Sequence, residues 1–401
     1  MKRIALLLIT ALCLTGCDYW FGCNKKDRQV LLMYFAGNNS LSAEGSSDLS
    51  DIMSSYLPSE RETEKIVLAF CHFVDKTPVL KRLYTDSRGF AVEEIIQEYP
   101  FNTNSASATT LSTVLADAEA AYPADKRGLI LWSHATGFLP EGYYAHPKET
   151  ATGDDWFDTE TDFQEDPFAH LVKAGVKSFA EDHGSEMEIP ALRAALSPYH
   201  FDFLLFDCCL MANVEVAYEL QDCCDYILFS PTEILSDGFP YKTMLEPIFK
   251  QPAEEAMVTI CQNYMNHYRA QSGIYRSATI SLVKTQMLGQ LAAACKPIFQ
   301  NHRDQILVIN RSDIQPYFRF NKHWFYDIDD LVGRVATEGE YEAFHTALEG
   351  AVIYKDATEQ FLSIDIVHYS GLSIYIPRAD YTVLNNYYKT LQWNMASGLI
   401  Q

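Results

Sequence analysis

The stretch from Phe201 to Asp207 most restricts how this chain can fold. Five of the six residues before Asp207 are apolar or aromatic, which is typical of a strand buried in a parallel sheet. Strand side chains alternate, so Asp207 and Cys209 lean to one face and Cys208 to the other. In open α/β sheets, ligands bind beyond the carboxyl ends of the strands. We therefore expect Asp207 and Cys209 to lie at a binding edge.

Strand and helix patterns alternate along the chain. Apolar runs predict strands at 28–36, 65–72, 80–84, 128–133, 201–207 and 225–230, and helical spacing predicts helices at 105–122, 213–221 and 253–268. This alternation predicts an α/β fold with a mostly parallel sheet sandwiched by helices over residues 28–283. Residues 284–401 are expected to form a smaller α+β subdomain, whose late strands at 361–367 and 371–377 return to the sheet.

The first residues have the pattern of a targeting segment. Lys2 and Arg3 precede an apolar run that is too short to span a membrane. The run closes with Leu-Thr-Gly-Cys17, which resembles the lipobox of bacterial lipoproteins. That resemblance implies a signal peptide at 1–16, lipid on Cys17, a linker to residue 27, and an exported protein anchored to a bacterial membrane at the periplasmic or cell surface. A plain secretion signal is the alternative.

Charge and cysteine spacing exclude several classes of function. The formal net charge of −22 argues against nucleic acid as a partner. Neither Cys208-Cys209 nor Cys223-Cys224 has the C-x-x-C spacing of a zinc site, so no metal site is predicted there. P-loop, G-x-S-x-G and H-E-x-x-H motifs are absent from the sequence. No cofactor is required by these patterns.

A long insert separates two of the predicted strands. Residues 138–200 are rich in Gly, Pro and charge, and 149–166 contain eight acids and no basic residue. Segments of this length without regular structure are usually functional loops or disordered. The acids could hold calcium through Asp158, Glu160 and Asp162, and a solvated loop is the alternative.

A thiol and an imidazole follow two of the core strands, which are the parts of a cysteine nucleophile site. His134 directly follows the apolar strand at 128–133, and small residues from Ala135 onward would let a backbone amide approach a substrate oxygen. Asp207 is suited to bind a basic side chain, and Asp237 could line the same pocket. The alternatives are a buried structural cysteine and a carboxylate bonded to nearby protein groups.

Three segments resemble the clostripain family of cysteine peptidases, relatives of the caspases, legumains and gingipains. They are 202–220 (DFLLFDCCLMANVEVAYEL), 129–134 (LILWSH) and 371–377 (GLSIYIP). The resemblance implies a caspase-like fold. It also implies an endopeptidase with Cys209 as nucleophile, His134 as its partner and the amides of Cys209 and Ala135 binding the oxyanion.

The same resemblance implies substrates and maturation. Asp207 would sit at the base of a pocket for Arg or Lys, and partners would be peptides or proteins with those residues. The family often cuts itself after a basic residue between the His and the Cys; Lys148 is the favoured candidate here, and Lys173 and Lys177 are others.

Two positions depart from the family pattern. Ala135 replaces a glycine and Cys208 replaces an alanine. If position 135 required a positive φ, alanine would cost on the order of 1 kcal/mol. An inactive relative that binds basic peptides is therefore an alternative to the peptidase. A cysteine acyltransferase or amidase on the same scaffold is a further one.

Overall fold

The computed structural model describes residues 27–144, 168, 171–172, 179–319 and 324–401. Several predicted site residues lie outside the described residues: Cys17, Lys148, Lys173, Lys177 and the acids Asp158, Glu160 and Asp162. Within the described part, no helix combines the length and apolar character needed to cross a bilayer.

The strands of the described residues vary from two to nine residues in length. In chain order they are β1 (Gln29–Gly37), β2 (Lys65–Phe73), β3 (Val79–Thr85), β4 (Ala91–Glu98), β5 (Lys126–Trp132), β6 (Phe179–Asp182), β7 (Ser185–Met187), β8 (Phe201–Asp207), β9 (Cys224–Phe229), β10 (Thr279–Lys284), β11 (Tyr326–Asp327), β12 (Val352–Ala357), β13 (Gln360–Phe361), β14 (Ile364–Asp365) and β15 (Ser373–Ile374).

The α-helices of the described residues lie between these strands or follow them. They are α1 (Ser42–Met53), α2 (Ala108–Ala121), α3 (Ile189–Leu196), α4 (Val214–Glu219), α5 (Leu245–Lys250), α6 (Ala253–Arg269), α7 (Leu288–Asn301), α8 (Arg303–Val308), α9 (Ile328–Val335), α10 (Glu338–Ala351), α11 (Thr382–Tyr388) and α12 (Gln392–Ser397). Short 3-10 turns occur at Tyr241–Thr243, Gly273–Tyr275, Thr285–Met287 and Arg311–Asp313.

In the described part of the chain, nine strands form one sheet in the order β12-β10-β9-β8-β5-β1-β2-β3-β4. The five central strands, from β9 to β2, run parallel, and two antiparallel strands close each edge. The chain passes from β1 to β2 on one side and returns to β5 on the other. The strand order therefore reverses between β1 and β5, and the carboxyl ends at such a reversal form a crevice that can bind ligands.

Aromatic packing fixes how β5 and β8 meet in the core. The register pairs Gly128 with Phe203 and Trp132 with Asp207. A Cβ at position 128 would lie only 2.3 Å from the Phe203 ring, so glycine is needed where the ring crosses β5. The two strands that precede His134 and Cys209 are thereby held as neighbours.

Helices flank the sheet and are capped by local side chains. α2, α3, α4, α7, α10 and α12 pack in a continuous series, while α5 packs against α6. Ser107 accepts a hydrogen bond from the amide of Thr109 at the start of α2. Thr337 and Glu340 form a capping box at the start of α10.

Two parts of the chain differ in detail from the sequence prediction. The late strand that returns to the central sheet is β12, whereas the predicted strands at 361–367 and 371–377 instead form β13 with β14, and β15 with β11. The end of the 138–200 insert carries β6, β7 and α3. An apolar alternating pattern indicates burial on a pleated surface, but it does not specify the strand partner.

Candidate active site

The structure brings the predicted nucleophile and its predicted partner to neighbouring strand ends. Trp132 on β5 is paired with Asp207 on β8, and His134 and Cys209 each follow two residues later. Both side chains are buried, with 3% and 1% of their surface exposed. The strand ends match the sequence prediction, and the Cys209 thiol is covered in this conformation.

His134 is held from the neighbouring strand β1. Its Nε2 lies 2.9 Å from the Oγ of Ser40, which follows β1 in the loop that starts at Gly37. The His134 carbonyl accepts a hydrogen bond from the amide of Ala180 on β6, at 3.1 Å. Ser133, next to the histidine, donates to the Ala36 carbonyl at 2.7 Å. The backbone around His134 is thus held between β1 and the β6–β7 hairpin, while Ser40 contacts the imidazole itself.

The two adjacent cysteines have different surroundings. The sulfur of Cys209 accepts a hydrogen bond from the amide of Ile234, with 3.1 Å between N and Sγ. The thiol of Cys208 donates to the Leu131 carbonyl on β5, at 3.1 Å. No disulfide joins the two, and Cys208 is a small core residue, as its position on the opposite strand face predicts. Leu210 has a φ of 61°, so the chain turns sharply just after Cys209.

Residues 171–172 hold the loop that contacts Cys209. Leu235 forms an antiparallel bridge with Val172, and the amide of Ser236 donates to the Leu171 carbonyl at 2.8 Å. Residues 171–172 belong to the predicted insert between His134 and Cys209. They therefore brace the loop that covers the thiol.

An ion pair braces the same loop from the C-terminal part of the chain. Arg319 donates two hydrogen bonds to the Glu233 carboxylate, one of them at 2.8 Å, and both side chains are buried. Burying such a pair is expensive unless it is fully bonded, so this bidentate geometry fixes the loop tightly.

Asp207 is completely buried at the end of β8. Its Oδ2 accepts a hydrogen bond from the Tyr241 hydroxyl at 2.9 Å. Burial, together with the Asp207 charge, raises the pKa of both Tyr241 and Tyr264 well above the usual value. These phenols therefore remain protonated at neutral pH.

Asp237 has a different environment. Its side chain is 68% exposed, and its Oδ2 lies 2.6 Å from Nε2 of His267. Tyr268 is buried beside this segment, and its hydroxyl donates to the Gly238 carbonyl at 2.7 Å. Burial raises the pKa of Tyr268, and Tyr264 and the charges of Asp237 and Asp207 add to the shift. Asp207 is thus an interior carboxylate and Asp237 a surface one.

Ala135 does not adopt a positive φ, whereas Gly137, two residues later, has a φ of 66°. A Cβ at position 137 would lie 1.9 Å from Oδ1 of Asn213, which accepts a hydrogen bond from the Phe138 amide at 3.2 Å. Alanine at position 135 therefore carries no penalty of backbone strain. Asn213 ties the loop after His134 to the segment after Cys209.

Asp182 anchors the β6–β7 hairpin beside this edge. Its carboxylate accepts hydrogen bonds from the amide and hydroxyl of Ser105, at 2.7 and 2.8 Å, and lies 3.1 Å from Nδ1 of His72. Burial alone would raise the pKa of Asp182, but bonds from His72, His183 and Ser105 outweigh it and hold the pKa well below its usual range. Among the described residues, no group of three or more His, Cys, Asp or Glu side chains could hold a metal ion.

Sequence reasoning missed Ser40, Ile234 and Tyr241. Ser40 carries a weak signal, since it ends a polar loop directly after a predicted strand. Tyr241 lies in the same short segment as Asp237, but nothing local shows that it reaches Asp207. The contact of Ile234 with Cys209 depends on the path of a loop, which no periodic pattern specifies.

Comparisons with known proteins agree with this geometry. The model of the clostripain family matches residues 33–164 and 172–397. A solved structure of an inactive zymogen C11 protease from Parabacteroides distasonis is 34% identical, with a TM-score of 0.75, and the match covers 93% of this chain and 99% of that chain. No curated protein sequence matches the chain.

A second solved structure extends the likeness. It is a secreted C11 cysteine protease from Bacteroides thetaiotaomicron in complex with an irreversible peptide inhibitor, which is 27% identical, with a TM-score of 0.73 over 93% of this chain and 99% of that chain. Both relatives match nearly the whole chain, and the family model covers both segments that carry His134 and Cys209. The chain belongs to the clostripain family and is a cysteine protease with a caspase-like fold.

Proposed function

We propose that this protease cleaves peptides after Arg or Lys through a dyad of Cys209 and His134. The observation that supports it best is the pairing of β5 with β8, which places the two residues at equivalent points beyond adjacent parallel strands. The fully buried Asp207 at the end of β8 is suited to hold a guanidinium or an ammonium group. Asp237, being exposed, would contribute only weakly at the rim.

The chemical steps follow from these positions. The Cys209 thiol gives its proton to His134, and the sulfur attacks the carbonyl carbon of the scissile bond. The amides of Cys209 and Ala135 bind the resulting oxyanion. Collapse of this intermediate breaks the C–N bond, and His134 gives a proton to the departing amine. Water then attacks the thioester, loses its proton to His134 and restores the thiol as the acid product leaves.

We further infer that the uncut chain is held inactive and that a cut in the insert releases it. Cys209 is 1% exposed, and the loop that bonds its sulfur is bridged by residues 171–172 of the insert. Lys148 is the favoured cutting site, and Lys173 and Lys177 are the others. The 34%-identical relative is described as an inactive zymogen, which supports a covered form of the site. Export, in line with the secreted relative, and a lipid anchor on Cys17, which rests on the lipobox-like Leu-Thr-Gly-Cys17, complete the proposal.

The decisive experiment measures turnover of fluorogenic peptides that end in Arg, Lys, Ala or Asp. The chain is tested under reducing conditions before and after nicking with trypsin, beside Cys209→Ala and His134→Ala, with and without calcium. Turnover limited to Arg and Lys, and lost in both variants, is the expected result. Folded and nicked protein that binds basic peptides without turning them over would instead favour an inactive relative.

Maturation is tested separately. Lys148→Ala tests the cutting site and is expected to leave the chain intact on a denaturing gel. Cys209→Ala tests self-cleavage, because this variant stays intact only if the protein itself makes the cut. An active protein that runs as one uncut chain with Lys148→Ala would remove this part of the proposal. Labelling with radioactive palmitate in a bacterial host, compared between the chain and Cys17→Ala, tests the anchor.

A further inference from the structure

A cavity lies in the C-terminal part of the described chain. It has a volume of about 770 Å3 and is formed by the segment after α8, by β14 and by Arg378. This volume is in the range of sites that hold small organic ligands. Its apolar walls are Val308, Ile309, Ile314, Pro316, Phe318 and Ile364.

Positive charge at this cavity is not fully balanced. Arg319 is bound to Glu233, and Arg378 is bound to Asp380. Arg311 has no carboxylate within ion-pair distance among the described residues; its Nη2 donates to the Pro377 carbonyl, and its buried Nε has no hydrogen-bond partner there. Burial, and the repulsion of Arg378, lower the pKa of Arg311. An anion beside Arg311 would favour its charged form and so offset both effects.

A residue in the wall of the same cavity has a buried hydroxyl with no partner among the described residues. Tyr326 is 1% exposed, and its Oη has no hydrogen-bond partner among the described residues. Leaving such a group unsatisfied costs about 1–3 kcal/mol, so buried hydroxyls of this kind call for an explanation. Burial raises the pKa of Tyr326 well above its usual value, which keeps the hydroxyl a donor at neutral pH. Tyr326 and Arg311 thus lie together in the wall of this cavity, and each has a buried donor without a partner among the described residues.

The remaining polar lining is compatible with an anion at the Arg311 end. Asp365 is the acidic residue among the described lining, but it is exposed and its Oδ1 accepts a hydrogen bond from Gln360 at 2.6 Å. Ser312 and Asn310 supply further polar groups. A free phosphate would satisfy the donors but would leave the apolar walls in contact with water.

We propose that this cavity binds an apolar carboxylate, such as the free C-terminus of a short peptide. Arg311 and the Tyr326 hydroxyl donate to the carboxylate oxygens, and the apolar walls cover the rest of the ligand. The site is separate from the dyad, and its occupancy does not depend on turnover at Cys209.

Calorimetry with the full chain carrying Cys209→Ala tests the proposal without cleavage of the probe. The probe is N-acetyl-Leu-Phe as the free acid, compared with the same dipeptide as its C-terminal amide and with inorganic phosphate. The acid is expected to bind saturably at one site and the amide roughly tenfold or more weaker, because it lacks the charge. Equal binding of acid and amide, tighter binding of phosphate, or no saturable binding of the acid would overturn it.

Two variants assign the binding to this cavity. Tyr326→Phe removes a hydroxyl that has no partner among the described residues. We expect it to weaken binding of the dipeptide acid by about three- to tenfold without lowering the Tm. Arg311→Gln is expected to weaken binding of the same acid by about tenfold or more. The matched control is Arg334→Gln, which alters an arginine on α9 that pairs with Asp330. If folded Tyr326→Phe and folded Arg311→Gln both bind the acid as tightly as the parent does, the assignment of the binding site to this cavity is wrong.

Discussion

The amide of Ile234 donates a hydrogen bond to the sulfur of Cys209 at an N–Sγ distance of 3.1 Å. The contact joins the predicted nucleophile to a loop that residues 171–172 and Arg319 both restrain. A substrate carbonyl can reach the sulfur only when this loop moves. The reactivity of Cys209 should therefore depend on the state of the insert.

Alkylation by iodoacetamide should reveal that dependence. We expect Cys209 to react about tenfold or more faster once the insert has been cut, because opening of the loop then costs less free energy. Peptide mapping by mass spectrometry measures the rate at each cysteine. Cys261, buried in α6, serves as an internal control that stays unmodified. Equal rates at Cys209 in cut and uncut chains would contradict the expectation.

Ser40 is expected to act as a positioning residue for the imidazole of His134. Ser40→Ala should lower kcat about three- to tenfold with KM nearly unchanged, since it removes one hydrogen bond to the imidazole. It should also move the pH profile of kcat, whereas a merely structural defect would not. Ser40→Thr keeps the hydroxyl and should restore kcat. The control is Ser46→Ala, which removes a hydroxyl from exposed α1; the same loss in both alanine variants would count against a specific role.

The preference for basic residues should depend on Asp207 much more than on Asp237. Asp207→Asn is expected to lower kcat/KM for Arg and Lys peptides about 100-fold, because the buried carboxylate that would bind their charge is gone. Asp237→Asn should lower the same kcat/KM only about two- to threefold, because an exposed charge interacts weakly. Peptides ending in Ala provide the reference. Retention of the Arg preference in Asp207→Asn would place the selectivity elsewhere.

Glu215 should make the fold less stable as the pH rises. It is fully buried on α4, where burial raises the pKa of its carboxyl to about 7, although bonds from the Tyr375 amide and the Tyr388 hydroxyl oppose the shift. The folded state binds this proton more tightly than the unfolded state, whose value is near 4.5. The stabilisation is therefore complete at low pH and lost as the pH rises through about 7.

Glu215→Gln mimics the protonated acid and gives the matching test. We expect the variant to be more stable than the parent at pH 8, by an amount on the order of 3 kcal/mol or less, and similar to it at pH 5. Chemical denaturation at the two pH values measures the difference. A variant that is equally destabilised at both pH values would contradict the raised pKa.

The sequence predicts the centre of the fold well. The run from 201 to 207 forms β8 with the predicted bounds, and the strand before His134 forms its neighbour. Strands buried on both faces leave a continuous apolar signal, and a polar residue at their ends marks the edge where ligands bind. His134, Cys209 and Asp207 could be placed together from such local information.

Contacts that depend on distant segments could not be predicted. Ser40 meets His134 only because β1 lies beside β5, and Ile234 covers Cys209 only because its loop is braced by Val172 and Arg319. The segments at 361–367 and 371–377 have apolar runs like those of sheet strands, yet they pair over only two residues each. Local patterns report burial, while partners and accessibility depend on the whole tertiary structure.

The ladder between β5 and β8 spans the insert, since one strand precedes the insert and the other follows it. A cut after Lys148 would therefore yield a heterodimer rather than two separate fragments, with one subunit carrying His134 and the other Cys209. Its subunits would share a continuous sheet and the Asp182 anchor on Ser105. Two bands on a denaturing gel and a single gel-filtration peak at the volume of the uncut chain are expected, and neither subunit alone would hold a complete dyad.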